Sequence, residues 1–188
     1  MTGVDVDHLN SLYSDTSDPW GFEDSSYEQA KFRATRDALS RSHYRAVFEL
    51  GCGNGQLARH LVSVADSYVG MDAVDKALQA ARAAVPQGEF VRGYYPCPLP
   101  ARDFDLLILS EILYFLDHDG IARMGDDIMS LWPRAEILCV TWLGPSGNAL
   151  QGHEALAAFT PALKTHDFTL VTRTKGYRID RGLPEVKS

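Results

Sequence analysis

The sequence predicts an α/β fold: a mostly parallel seven-stranded sheet with helices on both faces and an antiparallel strand at the C-terminal end. Three features of the chain point to it. From Arg45 onward, short apolar runs alternate with helix-like segments, the pattern of parallel strands joined by crossover helices. The run FDLLILS (104–110) is apolar almost throughout, as a strand covered on both faces must be. Finally, FTLVTRT (168–174) and YRID (177–180) are separated only by Lys175 and Gly176, which leaves room for a hairpin and therefore for antiparallel pairing.

The elements follow in order. Residues 1–44 differ from the rest and read as a helical lid or cap. The stretch YSDTSDPWGFEDSSYEQAKF (13–32) mixes acids and aromatics around one proline. It leads into a helix over 26–40 that Ser25 or Ser26 can cap, with Glu28 in the first turn. AVFEL (46–50) is the first strand and 56–64 the helix after it. SYVGMD (67–72) is the second strand, followed by an alanine-rich helix over 74–85. GEFVRG (88–93) and FDLLILS are the third and fourth strands. A helix over 120–131, the strand AEILCVTW (135–142) and a helix over 152–164, with Pro161 near its end, complete the core before the hairpin. The whole reads as one domain, 1–188, with 45–188 as the α/β core. Right-handed crossovers put the C-terminal ends of the parallel strands along one edge, where ligands of such sheets bind.

Composition narrows the function classes. A chain of 188 residues can bury a substantial core, and 45% hydrophobic with 23% charged residues is a globular balance. A net charge of −7 with no run of Lys and Arg speaks against a nucleic-acid partner held by phosphate neutralisation. Cys52, Cys97 and Cys139 have neither C-x-x-C nor Cys/His ligand spacing, which fits a reducing compartment and predicts no metal site. The start MTGVDVDHLN lacks the regions of a signal peptide. The longest apolar run, 104–116, is interrupted by Ser110 and Glu111 and is too short to span a bilayer. The expectation is a cytoplasmic protein with no membrane partner.

ELGCGNG (49–55) ends the first strand directly before a helix. Glycines 51, 53 and 55 permit positive φ and close approach of a ligand to the backbone, and the helix start supplies unpaired N–H groups. A dinucleotide turn would be G-x-G-x-x-G, but Gln56 stands where its third glycine belongs. The same donors suit a pyrophosphate or the carboxylate of an amino acid. Asp72 lies 21 positions beyond Gly51, at the end of the second strand, where an acid can accept both hydroxyls of a ribose. Its rival role is to cap the next helix.

These residues resemble the class I S-adenosylmethionine-dependent methyltransferases. VFELGCGNGQLARHL, YVGMDAVDKALQAAR and FDLLILSEILYFL are similar to that family's motifs, and Glu49, Gly51, Gly53 and Gly55 match its E/D-x-G-x-G-x-G turn. The resemblance implies a Rossmann-like fold, S-adenosyl-L-methionine as cofactor and S-adenosyl-L-homocysteine as product. It implies that the turn approaches the methionyl part and that Asp72 binds the ribose. Cys52, Ala73 and Ser110 join the cofactor-binding candidates. The acid that the family usually carries after the third strand is missing from VRGYYPCPLP (91–100). Gly93 and Tyr94 are the candidates there for a backbone contact near the adenine, and packing by Tyr94 and Tyr95 is the alternative.

A narrower resemblance covers most of the chain. DPWGFEDSSYEQAKFRATRDAL, LSEILYFL and GHEAL are similar to the nodulation protein S group, which implies N-methylation of an amino sugar or oligosaccharide. Methyl transfer from a sulfonium requires the protein to align the acceptor and exclude water. An amine acceptor must also lose a proton first. Glu111, after the fourth strand, is the expected base or acceptor-side partner, with Tyr114 one helical turn on. A helix-cap acid and a core tyrosine are the bland alternatives. His153, after the loop GPSGNALQG (144–152), can take a proton near neutral pH, or simply sit at the surface. Trp20 is expected as a lid aromatic over cofactor and sugar, and Arg33 as the partner of the cofactor carboxylate. Tyr27, Lys31 and Phe32 are expected to pack the lid on the domain. O-methylation of another small molecule, a nicotinamide-dependent oxidoreductase and a non-catalytic cofactor-binding module are the competing functions.

Overall fold

The computed structural model describes residues 3–185, so the two ends of the expected domain, 1–2 and 186–188, lie outside the described residues. The elements run α1 (Val6–Leu12), α2 (Ser26–Asp37), β1 (Tyr44–Leu50), α3 (Gln56–Leu61), β2 (Ala65–Asp72), α4 (Asp75–Ala84) and β3 (Glu89–Arg92). They continue β4 (Leu106–Ser110), α5 (His118–Leu131), β5 (Glu136–Trp142), α6 (Gly152–Phe159), β6 (His166–Arg173) and β7 (Tyr177–Pro184). The seven strands form one sheet in the order β3-β2-β1-β4-β5-β7-β6. The first five are parallel, and β7 runs antiparallel between β5 and β6. This is the Rossmann-like architecture expected, with the hairpin folded so that its second strand pairs with β5.

Period-two alternation along the strands builds two cores. Phe48, Leu50, Leu107, Leu109, Ile137 and Cys139 face α5 and α6, whose Ile121, Met124, Ile128, Leu156 and Phe159 meet them. Val47, Tyr68, Leu106, Ile108, Leu138 and Val140 face the other way, against Phe32 of α2, Leu57 and Leu61 of α3, and Leu78 and Ala81 of α4. Burial on both faces explains why FDLLILS carries almost no polar residue.

The helix ends differ from the sequence expectation for local reasons. The α2 helix starts where Ser25 accepts from the Glu28 N–H at 3.3 Å, but it stops at Asp37. Just beyond, the buried Glu136 carboxylate captures the Ser40 N–H at 3.0 Å and the Tyr44 hydroxyl at 2.8 Å, turning the chain into β1. The last core helix stops at Phe159, since Pro161 has no N–H to continue the ladder, and one 3₁₀ turn follows. A helix was also not expected at Val6–Leu12, where Asp5 caps the start through the His8 N–H at 2.8 Å.

The N-terminal segment is tied to the strand-end edge of the sheet. The Val4 N–H donates to Phe115 O at 2.9 Å, Lys76 Nζ to Ser14 O at 3.0 Å, and Tyr94 Oη to Val4 O at 2.7 Å. A ladder of rings, Tyr13 on Trp20, Trp20 on Phe22 and Phe22 on Phe32, connects it to the α2 side of the core. At the other end of the sheet, β6 is an edge strand with an irregular register between Leu170 and Thr172, and Leu170 is 50% exposed.

Gly55 heads α3 with φ +78, and a Cβ there would lie 2.8 Å from Ala81 Cα of α4. Gly55→Ala is therefore expected to cost about 2 kcal/mol from the left-handed backbone and the close helix pair. Calorimetric melting should show the midpoint fall by roughly 4–8 °C. An unchanged midpoint would mean that the two helices can part freely.

Candidate active site

Strand β1 lies in the middle of the sheet, flanked by β2 and β4. Its chain must leave the sheet edge and begin α3 within a few residues. Gly51, Gly53 and Gly55 accomplish this with φ of 74, 52 and 78, all left-handed. Two kinds of acceptor on β2 fix the turn. Met71 O receives the Gly51 and Cys52 N–H groups at 2.8 and 3.0 Å. The Asp72 carboxylate receives the Gly53 N–H at 2.9 Å on one oxygen and the Val74 N–H at 2.9 Å on the other. The two roles weighed for Asp72 are therefore compatible. It organises the turn and the entry to α4, and each oxygen keeps a further lone pair to offer a ligand.

Beneath the turn, Glu49 is 1% exposed and accepts from the Tyr68 hydroxyl at 2.6 Å. Burial pushes its carboxyl up to about 7; the Tyr68 hydrogen bond works against this, and the charge of Asp72 adds to it. Burial likewise raises the Cys52 thiol, which makes it a small apolar wall and not a thiolate.

A cavity of about 740 Å³ opens at the C-terminal ends of the parallel strands. Its walls bring together Trp20, Glu49, Gly51, Cys52, Gly53, Asp72, Ala73, Gly93, Tyr94, Ser110, Glu111 and Tyr114. Gly55 stands behind the turn and shapes it without lining the cavity. Two sequence candidates need correction. Arg33 is exposed on the outer side of α2, because Glu28 and Lys31 face inward at i, i+3 and a residue two positions past Lys31 points away. His153 is exposed on the first turn of α6, which packs through Gly152, Ala155, Leu156 and Phe159 and so turns position 153 outward. Neither reaches the cavity.

Sequence reasoning missed what Lys31 does. It is 1% exposed, lines the cavity, and its Nζ lies 2.7 Å from Glu28 Oε2 and 2.7 Å from Glu111 Oε1. The Y-E-x-x-K spacing held the signal, since it places Glu28 and Lys31 on one helix face. The segment after β4 also rules out the bland reading of Glu111 as a helix-cap acid. Glu111 is left-handed at φ 55, its N–H donating to Val140 O at 2.8 Å, and Leu113–Phe115 is a single 3₁₀ turn. A left-handed glutamate is costly, and such strain concentrates at functional sites. Burial lifts the Glu111 carboxyl above its ordinary value while the Lys31 ammonium pulls it back. Burial also raises the Tyr114 phenol, with the Glu111 charge adding to it.

The donor set suits the cofactor implied by the motif resemblance. Asp72 offers acceptors for ribose hydroxyls, the turn offers close backbone approach, and the nearby carboxylates suit a cation. Asn54, buried and lining the same cavity, has a side-chain oxygen with no hydrogen-bond partner among the described residues. Among those residues, no group of three or more His, Cys, Asp and Glu side chains is placed to hold a metal ion, and no helix is long and apolar enough to cross a membrane.

Comparison with known proteins agrees with this geometry. Residues 47–131 match the family model described as a methyltransferase domain. Over 160 residues the chain is 24% identical to nodulation protein S of Sinorhizobium fredii (strain NBRC 101917 / NGR234), covering 81% of this chain and 68% of that protein. Among solved structures, a putative methyltransferase from Pseudomonas syringae is 28% identical with a TM-score of 0.72, covering 85% of this chain and 99% of that one. The fold is also that of the N-methyltransferase NodS from Bradyrhizobium japonicum WM9 in complex with S-adenosyl-L-homocysteine, at TM-score 0.80 and 15% identity over 95% of this chain and 98% of that one.

Glu49 makes a pH prediction. A carboxyl that titrates near 4.5 unfolded and about 7 folded takes up a proton on folding between those values. Its contribution to stability is greatest on the acid side and falls as pH rises through about 7, by on the order of 1–3 kcal/mol. Urea unfolding at pH 5 and pH 8 should show this loss in the ligand-free protein and a flatter profile in Glu49→Gln. Equal slopes in the two proteins would overturn the assignment.

Proposed function

We propose that this chain, a class I S-adenosylmethionine-dependent methyltransferase, methylates the nitrogen of a small polar amine, in the sharpest form the amine of an amino sugar or oligosaccharide. The observation behind the reading is the Glu111 carboxylate, held in a left-handed conformation at the cavity edge beside the glycine turn. The named activity of the NodS neighbour, an N-methyltransferase, supports it.

Bound in the cavity, the cofactor would supply an electrophilic methyl group carried on a sulfonium. The residues that would hold it are the turn from Glu49 to Asn54, Asp72 with Ala73 at the ribose, and Ser110 at the end of β4. Gly93 and Tyr94, in the same cavity wall, would flank the adenine. The work left to the protein is alignment, proton removal and exclusion of water. Glu111 accepts a proton from the acceptor ammonium, leaving a neutral nitrogen with a free lone pair. Tyr114 stays a neutral phenol beside it. Trp20, 45% exposed at the cavity mouth, supplies a face on which a sugar ring can stack, and residues up to 44 act as the lid. The three free thiols, Cys52, Cys97 and Cys139, fit a cytoplasmic setting.

Two experiments test the reading. Calorimetric titration with S-adenosyl-L-homocysteine should give binding more than about tenfold weaker in Asp72→Ala, roughly 1.4 kcal/mol or more, the cost of charge-assisted hydrogen bonds. Unchanged affinity would reduce Asp72 to its turn-organising role. Glucosamine incubated with methyl-labelled cofactor should yield an N-methyl product by mass spectrometry. Glu111→Gln should cut the turnover by about 10²-fold while keeping affinity for the product cofactor. A methyl group found on oxygen favours the O-methyltransferase alternative; tight cofactor binding with no transfer to any of a panel of amines favours a non-catalytic module.

A further inference from the structure

We propose that Lys31 is a positioning residue: from α2 of the N-terminal segment, its ammonium holds Glu111 ionised and aimed into the cavity, ready to receive the acceptor's proton. The proposal rests on the amine-methylation reading above and extends it to a residue outside the sheet.

A lysine is almost never so fully buried unless it is paired. Here the pairing is double, with Glu28 and Glu111 each 2.7 Å from Nζ, and the rings of Tyr27 and Phe32 lie 5.9 and 6.0 Å from it. The three charged side chains carry a net −1 in the cavity wall. A tether for the N-terminal segment alone would not require a strained partner, yet Glu111 is the positive-φ residue of the site that is not glycine. Register explains why it stands there. Leu50 pairs with Leu109, so the chain beyond β4 runs beside the glycine turn, and the Ile112 side chain packs directly on Gly51. Lys31 thus reaches the point where the cofactor turn and the acceptor space meet.

The titratable and charged groups facing Glu111 are Lys31, Glu28 and Tyr27 from α2 and Tyr114 from the turn after β4. Glu49, on neighbouring β1, is turned to Tyr68. Without the ammonium, Glu28 and Glu111 would face each other in a poorly solvated wall, and one would hold a proton at neutral pH. The position meant to receive a proton would then already be filled. With Lys31 in place, the acceptor ammonium gives one proton to the Glu111 carboxylate and keeps its electron pair. That pair forms the nitrogen–carbon bond as the carbon–sulfur bond breaks, and the product is a secondary ammonium with a neutral thioether. The proton on Glu111 then leaves to solvent.

The test follows the Glu111 carboxyl directly. In protein carrying ¹³C-carboxyl glutamate and saturated with S-adenosyl-L-homocysteine, the Glu111 resonance is identified by its loss in Glu111→Gln. Lys31→Met should raise its titration midpoint by about one pH unit or more, and Lys31→Arg should restore most of that change. Glu28→Gln, a milder substitution, should move the midpoint the opposite way, because it removes a like charge. With glucosamine as acceptor, the acidic limb of kcat/KM should shift in the same direction and to a similar extent in each variant. Product-cofactor affinity within about threefold of wild type establishes that the variant is folded. A midpoint that stays put in both Lys31→Met and Glu28→Gln, or a pH limb that ignores the midpoint, overturns the proposal. Wild-type protein that methylates no amine, with midpoints moving as stated, would sink the amine reading and still support the hold of Lys31 on Glu111.

Discussion

Everything at the site depends on how one turn is pinned to one neighbouring strand. The chain leaves β1 inside the sheet, between β2 and β4, and three left-handed glycines reverse it, so its backbone N–H groups need partners close by. Met71 O and the Asp72 carboxylate at the end of β2 collect the N–H groups so exposed. Were Asp72 lost, the Gly53 N–H would lack its partner, and the start of α4 would lose the Val74 contact as well. The turn, the helix behind it and the cavity in front of it are thus one hydrogen-bonded unit. The buried Glu49 carboxyl beneath adds a group that is easier to keep near a cation than alone.

The opposite wall of the cavity is built differently. It comes from the N-terminal segment, held by rings and by a few hydrogen bonds, and from the residues just past β4. The segment is anchored at its far end by Glu136, buried at the start of β5, which gathers Ser40 and Tyr44. Charge pairing at Lys31 fastens its middle. Backbone geometry fixes one half of the cavity, and side-chain electrostatics fix the other.

This division explains which parts could be read from the residues. Apolar runs such as FDLLILS and the glycines at 51, 53 and 55 act through steric rules that any sequence obeys, so the sheet, its helices and the turn were legible. So were Asp72 and Glu111, which sit at strand ends that the fold aligns. Lys31 and Phe32 pack the segment on the domain as their place in the sequence suggested. What was not legible is that Lys31 pairs with both Glu28 and Glu111 across the fold, and that Arg33, two residues on, points away. His153 fails for the same reason, since the neighbours of α6 choose which face of its first turn is hidden. The left-handed Glu111 was beyond reach, because local preference argues against it and the Val140 carbonyl and the distant Lys31 overrule that preference. Helix ends moved where a long-range carboxylate, Glu136, or a proline intervened.

The two margins of the sheet share a property with consequences outside the cavity. One is β3, only four residues long, and the other is β6, whose register slips between Leu170 and Thr172. A short margin offers few free N–H and C=O groups, and a slipped one offers them out of step with a regular partner. Leu170 and Val171 give β6 exposed apolar surface that would otherwise invite another chain. The irregularity puts the free backbone groups of β6 out of step with those of a regular strand, which makes that exposed surface a poorer template for edge-to-edge pairing.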